Sequence, residues 1–204
     1  MNYSEIVKLA LDTADRNDSP VVENVDSFLR VVEARVNRVI DSVDQLVRTT
    51  LTLENDEAYY ALPLDFARIK QIDVYELDNP SIRKQVIQLP RHEVFNAVLN
   101  KGELRYQLIN NQLRVLPLQD GKVIELVYYR NLLPLGNINK TNWLSETFPD
   151  IYIAGLLVEI SAFNKNLEVS MGWNSKFSSA LSDFIAYSKR KRIGGDTLVM
   201  RVKR

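Results

Sequence analysis

Apolar residues recur every three or four positions at the two ends of the chain and every second position in its middle. Over residues 4–15, Ile6, Val7, Leu9, Ala10, Leu11 and Ala14 fall along one side of a helix that Ser4 is placed to cap. Residues 16–20 read as a turn. Over 24–48, Val25, Phe28, Leu29, Val32, Val36, Val39, Ile40, Val43, Leu46 and Val47 form a longer stripe. Asp26, Arg30, Glu33, Asn37, Arg38, Asp41 and Asp44 take its other face. So many β-branched residues give a weak intrinsic helix, so packing must hold it, from an internal core or from an assembly interface.

The period then shortens. Residues 49–54 and 57–62 predict a hairpin around Asn55-Asp56. A turn at 63–66 leads into a strand over 69–75, and Asp78-Asn79-Pro80 marks a turn before a short strand at 84–88. Pro90 opens a helix over 92–99 that Gly102 ends. Strands at 105–109 and 112–116 flank Asn110-Asn111, whose residue type tolerates positive φ. Asp120-Gly121 makes a further turn before a strand over 123–130.

Residues 132–140 read as a loop. A helix over 149–164 begins at Pro149, with Asp150 near its positive end. Another over 167–190 carries Trp173, Phe177, Ala180, Leu181, Phe184 and Tyr187 on its buried stripe, and Gly194-Gly195 breaks it. Residues 197–204 are β-prone and extended. The pattern predicts an α+β fold: a helical bundle of three to four helices, an N-terminal pair and a C-terminal pair, with a small antiparallel sheet inserted and an extended C-terminal arm. The expected domains are a discontinuous helical one, 1–50 with 141–192, a β-rich insertion, 51–140, and a tail, 193–204.

Composition narrows the class. A chain of 204 residues, 46% apolar and 25% charged, is globular and long enough to bury a core without staples. The absence of cysteine excludes disulfides and thiolate chemistry, and fits a reducing compartment. The start lacks the basic-then-apolar pattern of a signal peptide, and the longest apolar run, 151–160, is broken by Glu159 and too short to span a bilayer. No membrane association is expected. Net charge is zero, but the last sixteen residues carry +6 against −6 in the rest, which suggests an end that docks on something acidic.

Chemistry is sparse. His92 is the one histidine and has no carboxylates around it at ligand spacing, so neither a metal site nor a catalytic base is expected. No Gly-rich turn joins a strand to a helix, and no serine sits in a nucleophile elbow. Glu54, Asp56 and Glu57 share one apparent turn, which reads as a solvated tip rather than an acid–base pair. Tyr59-Tyr60 and Tyr128-Tyr129 are expected to place one ring inward and one outward, for packing rather than base stacking, since no basic residues interleave with them. Neither catalysis nor a cofactor is expected.

Two features at the C-terminal end do suggest contacts. Lys189, Arg190, Lys191 and Arg192 are either a solvated helix end suited to the dipole or a grip on nucleic acid or an acidic protein surface. Beyond the Gly194-Gly195 hinge, Leu198, Val199 and Met200, followed by Arg201, either dock back on the domain or add a strand to a partner's sheet edge.

Several short segments, taken in order, resemble one family. They are the turn Leu62-Pro63-Leu64-Asp65-Phe66, then Tyr106 with Asn110-Asn111-Gln112-Leu113-Arg114-Val115-Leu116-Pro117, then Glu125-Leu126-Val127-Tyr128-Tyr129. Thr141-Asn142-Trp143-Leu144 follows, then Pro149-Asp150-Ile151-Tyr152, Gly155-Leu156-Leu157 and Glu159, and finally Trp173 with Ala180-Leu181. Their order and spacing resemble the head-to-tail adaptor proteins of tailed bacteriophages over nearly the whole chain. Lys165-Asn166-Leu167-Glu168-Val169 and Gly102-Glu103-Leu104-Arg105-Tyr106 depart from the family's usual pattern. The resemblance implies a non-enzymatic virion protein of the neck, assembled in the host cytoplasm. It implies a ring of about twelve copies under the portal that continues the DNA channel, without sequence-specific DNA binding, toward a tail or nozzle protein. It also implies a C-terminal arm, 189–201, that reaches the portal. A virion-associated peptidoglycan-degrading enzyme and a nucleic-acid-binding module are the alternative readings.

Overall fold

The computed structural model describes residues 1–52, 59–89, 104–116 and 122–195. Among these, five helices and eight strands in two sheets form two compact units, Met1–Asp44 with Leu132–Arg204, and Gln45–Asn131.

In the first unit, α1 (Tyr3–Ala14) starts from a capping box: Asn2 Oδ1 accepts from Glu5 N–H, and Glu5 Oε2 accepts from Asn2 N–H. The cap is therefore Asn2 rather than Ser4. Helix α2 (Ser19–Val39) opens with Pro20 in its first turn, where a missing N–H costs nothing. The expected helix over 24–48 thus starts earlier and stops at Val39. Its supposed last two turns leave the helix, pass a 3-10 turn at Val43–Gln45, and enter a strand. Thr49 and Thr50 extend the β-branched run there, and a sheet partner outweighs the helical spacing.

After the loop come α3 (Trp143–Thr147), a short helix that periodicity does not show, α4 (Pro149–Phe163) and α5 (Leu167–Gly195). Helix α4 is apolar almost all round, and Ile151, Tyr152, Leu156 and Ile160 are buried among α1, α2 and α5. From α2, Val25, Leu29, Val32 and Val36 face it, and Phe177, Ala180 and Phe184 close the core from α5. Helix α5 continues to Gly195, so Gly194-Gly195 lie in its last turn and do not break it after Arg190.

The second unit corrects the expected fold class. It is not a small sheet inserted in a helical bundle but two four-stranded sheets. The strands are β1 (Leu46–Thr52), β2 (Tyr59–Ala61), β3 (Phe66–Glu76), β4 (Asn79–Gln85), β5 (Ile87–Gln88), β6 (Arg105–Ile109), β7 (Gln112–Leu116) and β8 (Lys122–Arg130). One sheet has the order β1-β8-β3-β4, the other β2-β7-β6-β5, in which β5 and β6 run parallel. The expected hairpin of 49–54 with 57–62 does not form: β1 pairs with β8 and β2 with β7. Alternation shows that a segment is a strand but not its partner, and these partners are distant in sequence. Ile72, Val74, Ile124 and Leu126 of one sheet share a core with Tyr60, Leu113 and Val115 of the other.

The β6–β7 hairpin forms as expected, with Asn110 at φ 47° and Asn111 at φ 61°. The helix expected over 92–99, including His92, the Asn55-Asp56 and Asp120-Gly121 turns, the Glu54, Asp56, Glu57 cluster and the tail with Leu198, Val199, Met200 and Arg201 lie outside the described residues.

Candidate functional site

Aromatic rings fix the second half of α5. Phe184 is fully buried, its ring 5.7 Å from that of Trp143 and 5.3 Å from Phe148, and Phe148 also meets Tyr187 at 5.2 Å. The basic run emerges one turn beyond. Lys191 Nζ donates to Asp44 Oδ1 at 2.5 Å and lies 5.9 Å from the Tyr187 ring. Arg192 reaches Asp41, with Nη2 2.8 Å from Oδ1 and 3.1 Å from the backbone oxygen. The hydrogen bond to Asp44 and its charge raise the Lys191 pKa above its ordinary value. Lys189 and Arg190 are exposed, and Arg190 Nε donates to the Ala186 carbonyl at 3.4 Å. The four cations therefore split. Two turn back onto the acids that follow α2, which extends the helix through Gly195, and two face outward. The sequence offered a signal for this, since Asp41 and Asp44 are acids with the spacing of one helical turn.

The residues from 142 onward serve the core. Asn142 caps α3: its Oδ1 accepts from Ser145 N–H at 2.9 Å, and Ser145 Oγ accepts from Asn142 N–H at 3.0 Å. Its Nδ2 donates to Leu133 O at 2.9 Å and to Tyr152 Oη at 2.8 Å, so one buried amide ties loop, α3 and α4 together. Pro149 and Asp150 occupy the first turn of α4. Gly155 meets α2 at Val32. Glu159 pairs with Arg35 at 2.9 Å. Trp173 packs on the edge of the core, with Lys176 Nζ 4.0 Å from its ring centroid.

The sequence pattern puts Glu33 on the polar face of its helix, and the structure corrects this. Glu33 is buried on α2 and accepts from Leu135 N–H at 2.6 Å. Burial pushes its carboxyl up to about 7, against the opposing effects of that hydrogen bond and of Arg30 at 3.9 Å.

In the second unit, Asp65 of the Leu-Pro-Leu-Asp-Phe turn accepts from Tyr128 Oη at 2.9 Å, and its carbonyl accepts from Asn131 N–H at 2.7 Å. Tyr59 and Tyr60 split outward and inward as expected, but Tyr128 and Tyr129 are both buried. Arginines do lie over these rings: Arg68 is 4.0 Å from the Tyr129 centroid and Arg114 is 5.1 Å from that of Tyr59. Long side chains from neighbouring strands cover what alternation leaves open. Among the described residues no three acids or histidines gather as metal ligands, and no helix is long and apolar enough to cross a membrane.

The model of the SU10 adaptor protein family matches residues 1–200. The chain belongs to that family. SU10 adaptor proteins are phage head–tail adaptors, so the chain is a structural component of a phage particle that works through contacts with other head and tail proteins. No curated protein matches the sequence. The match covers residues of both units.

Proposed function

We propose that the protein forms a ring under the portal, joins it to the tail and continues the DNA channel. The observation that carries this reading is the family match along 1–200, which spans both units. A ring protomer needs separate surfaces for its neighbours and for the components above and below, and a chain of two units offers them. We assign portal docking to the C-terminal arm: Lys189 and Arg190 on the exposed end of α5, Lys191 and Arg192 beside them, the Gly194-Gly195 turn, and Leu198, Val199, Met200 and Arg201 beyond it. A tail or nozzle protein binds the opposite side of the ring, in the neck of the particle, and assembly takes place in the host cytoplasm. About twelve copies form the ring. DNA passes through without sequence-specific contacts, and the pairing of Lys191 and Arg192 with Asp44 and Asp41 leaves the basic run too weakly charged to hold it.

The test is native mass spectrometry of the full chain, beside a chain ending at Gly195, each mixed with the portal protein from the same genome. Ending at Gly195 keeps α5 whole. A defined multimer on the portal with the full chain, weakened by the truncation, is the expected result. No complex with either chain would refute the reading.

A further inference from the structure

Lys191 and Arg192, near the end of α5, each hold a carboxylate of their own chain. Asp44 is set to receive the first. Ser42, fully buried, donates through Oγ to Asp44 Oδ2 at 3.0 Å and accepts from Asp44 N–H at 3.2 Å. That leaves Asp44 Oδ1 for Lys191 Nζ at 2.5 Å. Asp41 offers Arg192 two acceptors, its Oδ1 at 2.8 Å and its backbone oxygen at 3.1 Å.

These pairs do little to dock the helix. One turn earlier, the rings of Phe184 and Tyr187 already fix α5 against Trp143 and Phe148. The pairs themselves are open to water: Lys191 and Arg192 are each 42% exposed, Asp41 41% and Asp44 28%. Exposed ion pairs are weak and screened by salt, so acids brought by another molecule can displace Asp41 and Asp44.

The chemistry of the contact says which acids fit. A guanidinium or ammonium that binds a carboxylate within the chain is equipped to bind the same group on a partner. Arg192 takes a carboxylate and a backbone carbonyl from one residue, a combination that a polypeptide supplies and a phosphodiester does not. Lys189 and Arg190 are exposed beside it. With the pairs closed, the end of α5 offers two cations, and with them open it offers four in succession.

We propose that Asp41 and Asp44 form an autoinhibitory clamp: they stand in for the carboxylates of the protein on which the C-terminal arm docks, withhold Lys191 and Arg192 from other polyanions, and release them when that partner's acids compete. The proposal rests on the portal-docking reading above. The test uses the full chain, the clamp variant Asp41→Asn with Asp44→Asn, and a control, Glu168→Gln with Asp183→Asn. The control makes the same change of net charge at exposed positions of α5. Each is titrated against the portal from the same genome and, separately, against a short DNA duplex as a bare polyanion.

The clamp variant should bind the portal about five- to tenfold tighter than parent or control at low salt. Its duplex affinity should fall more steeply with salt, the log–log slope growing by roughly 1.8, the value for two further cations. The control should keep the parent's slope. A clamp variant that matches the control on both probes, or binds the portal more weakly than the parent, would overturn the proposal. A steeper duplex slope with unchanged portal affinity would overturn the partner exchange. If the portal binds none of the three proteins while the duplex slope still steepens, the docking reading falls and the shielding by Asp41 and Asp44 stands.

Discussion

Gly155 of α4 lies against Val32 of α2 so closely that a β carbon on Gly155 would be 2.6 Å from Val32 Cγ1 and 2.9 Å from Cγ2. Val32 is fully buried, and a valine on a helix has one strongly preferred rotamer, so its methyls cannot swing away. Phe177 blocks the other side at 3.2 Å. Gly155→Ala should therefore destabilise the protein by about 1–3 kcal/mol even though alanine is the better helix former. Adding Val32→Ala removes both methyls and should recover part of the loss, a coupling of about 1 kcal/mol. Urea unfolding followed by tryptophan fluorescence measures this, since Trp143 and Trp173 both lie in the helical unit. A Gly155→Ala variant as stable as the parent would show that the helices move apart freely.

Glu33 makes stability depend on pH in the direction opposite to an ordinary paired carboxylate. Its folded pKa is raised from 4.5 to about 7. The folded state binds the proton more tightly than the unfolded one, so this contribution is fully present below about pH 4.5 and is lost as pH rises through about 7. A shift of that size corresponds to on the order of 3 kcal/mol at most. Glu33→Gln keeps an oxygen to accept from Leu135 N–H and carries no charge. Melting temperatures from pH 5 to pH 8 should fall for the parent and stay nearly level for the variant. Equal slopes would mean that Glu33 does not titrate in this range.

Glu125 behaves the other way. Burial pushes its carboxyl up, but hydrogen bonds from Arg48 and Arg83 and their charges outweigh it, and the pKa ends below its ordinary value. It sits opposite Asp73 in the β3–β8 register, so two buried carboxylates face each other across the sheet. Stability from Glu125 is thus present above about pH 4.5 and is lost as pH falls through the lowered folded value. Arg83→Ala should cost about 1 kcal/mol at neutral pH, since the arginine is partly exposed and Arg48 remains. Hydrogen exchange of the β3 and β8 amides, compared at pH 7 and after a brief exposure to pH 4, should show a smaller acid-induced loss of protection in the variant. An identical acid response would remove Arg83 from the account.

The helices and strands differ in how much of them the sequence reveals. Helices α1 and α5 each bury a stripe whose period is visible in the order of residues, α4 is marked by Pro149 at its start, and the Asn110-Asn111 hairpin is local chemistry. Leu46 and Val47 continue the helical spacing of α2 and also open the β-branched run of β1, and only the β8 partner, itself remote in sequence, decides between the two. That is why the β region read as one small sheet. The ties of Asn142 and Glu33 have the same origin: capping three residues on is legible, but Tyr152 Oη and Leu135 N–H arrive only through the tertiary fold.

Asn142 allows its two jobs to be separated. The carboxamide oxygen caps Ser145 N–H, while the nitrogen donates to Leu133 O and Tyr152 Oη. Asn142→Ala loses all three and leaves buried groups without partners, for an expected loss of about 2–4 kcal/mol. Asn142→Asp keeps an acceptor for the cap but loses both donors and places a charge against the Leu133 carbonyl in a site only 7% exposed. If the amide nitrogen matters, aspartate should be nearly as destabilising as alanine at pH 7, and the two should diverge at pH 4 as the carboxyl takes up a proton and can donate again. If capping were the whole role, aspartate would match the parent at both pH values. Chemical denaturation of the three proteins at the two pH values distinguishes these outcomes.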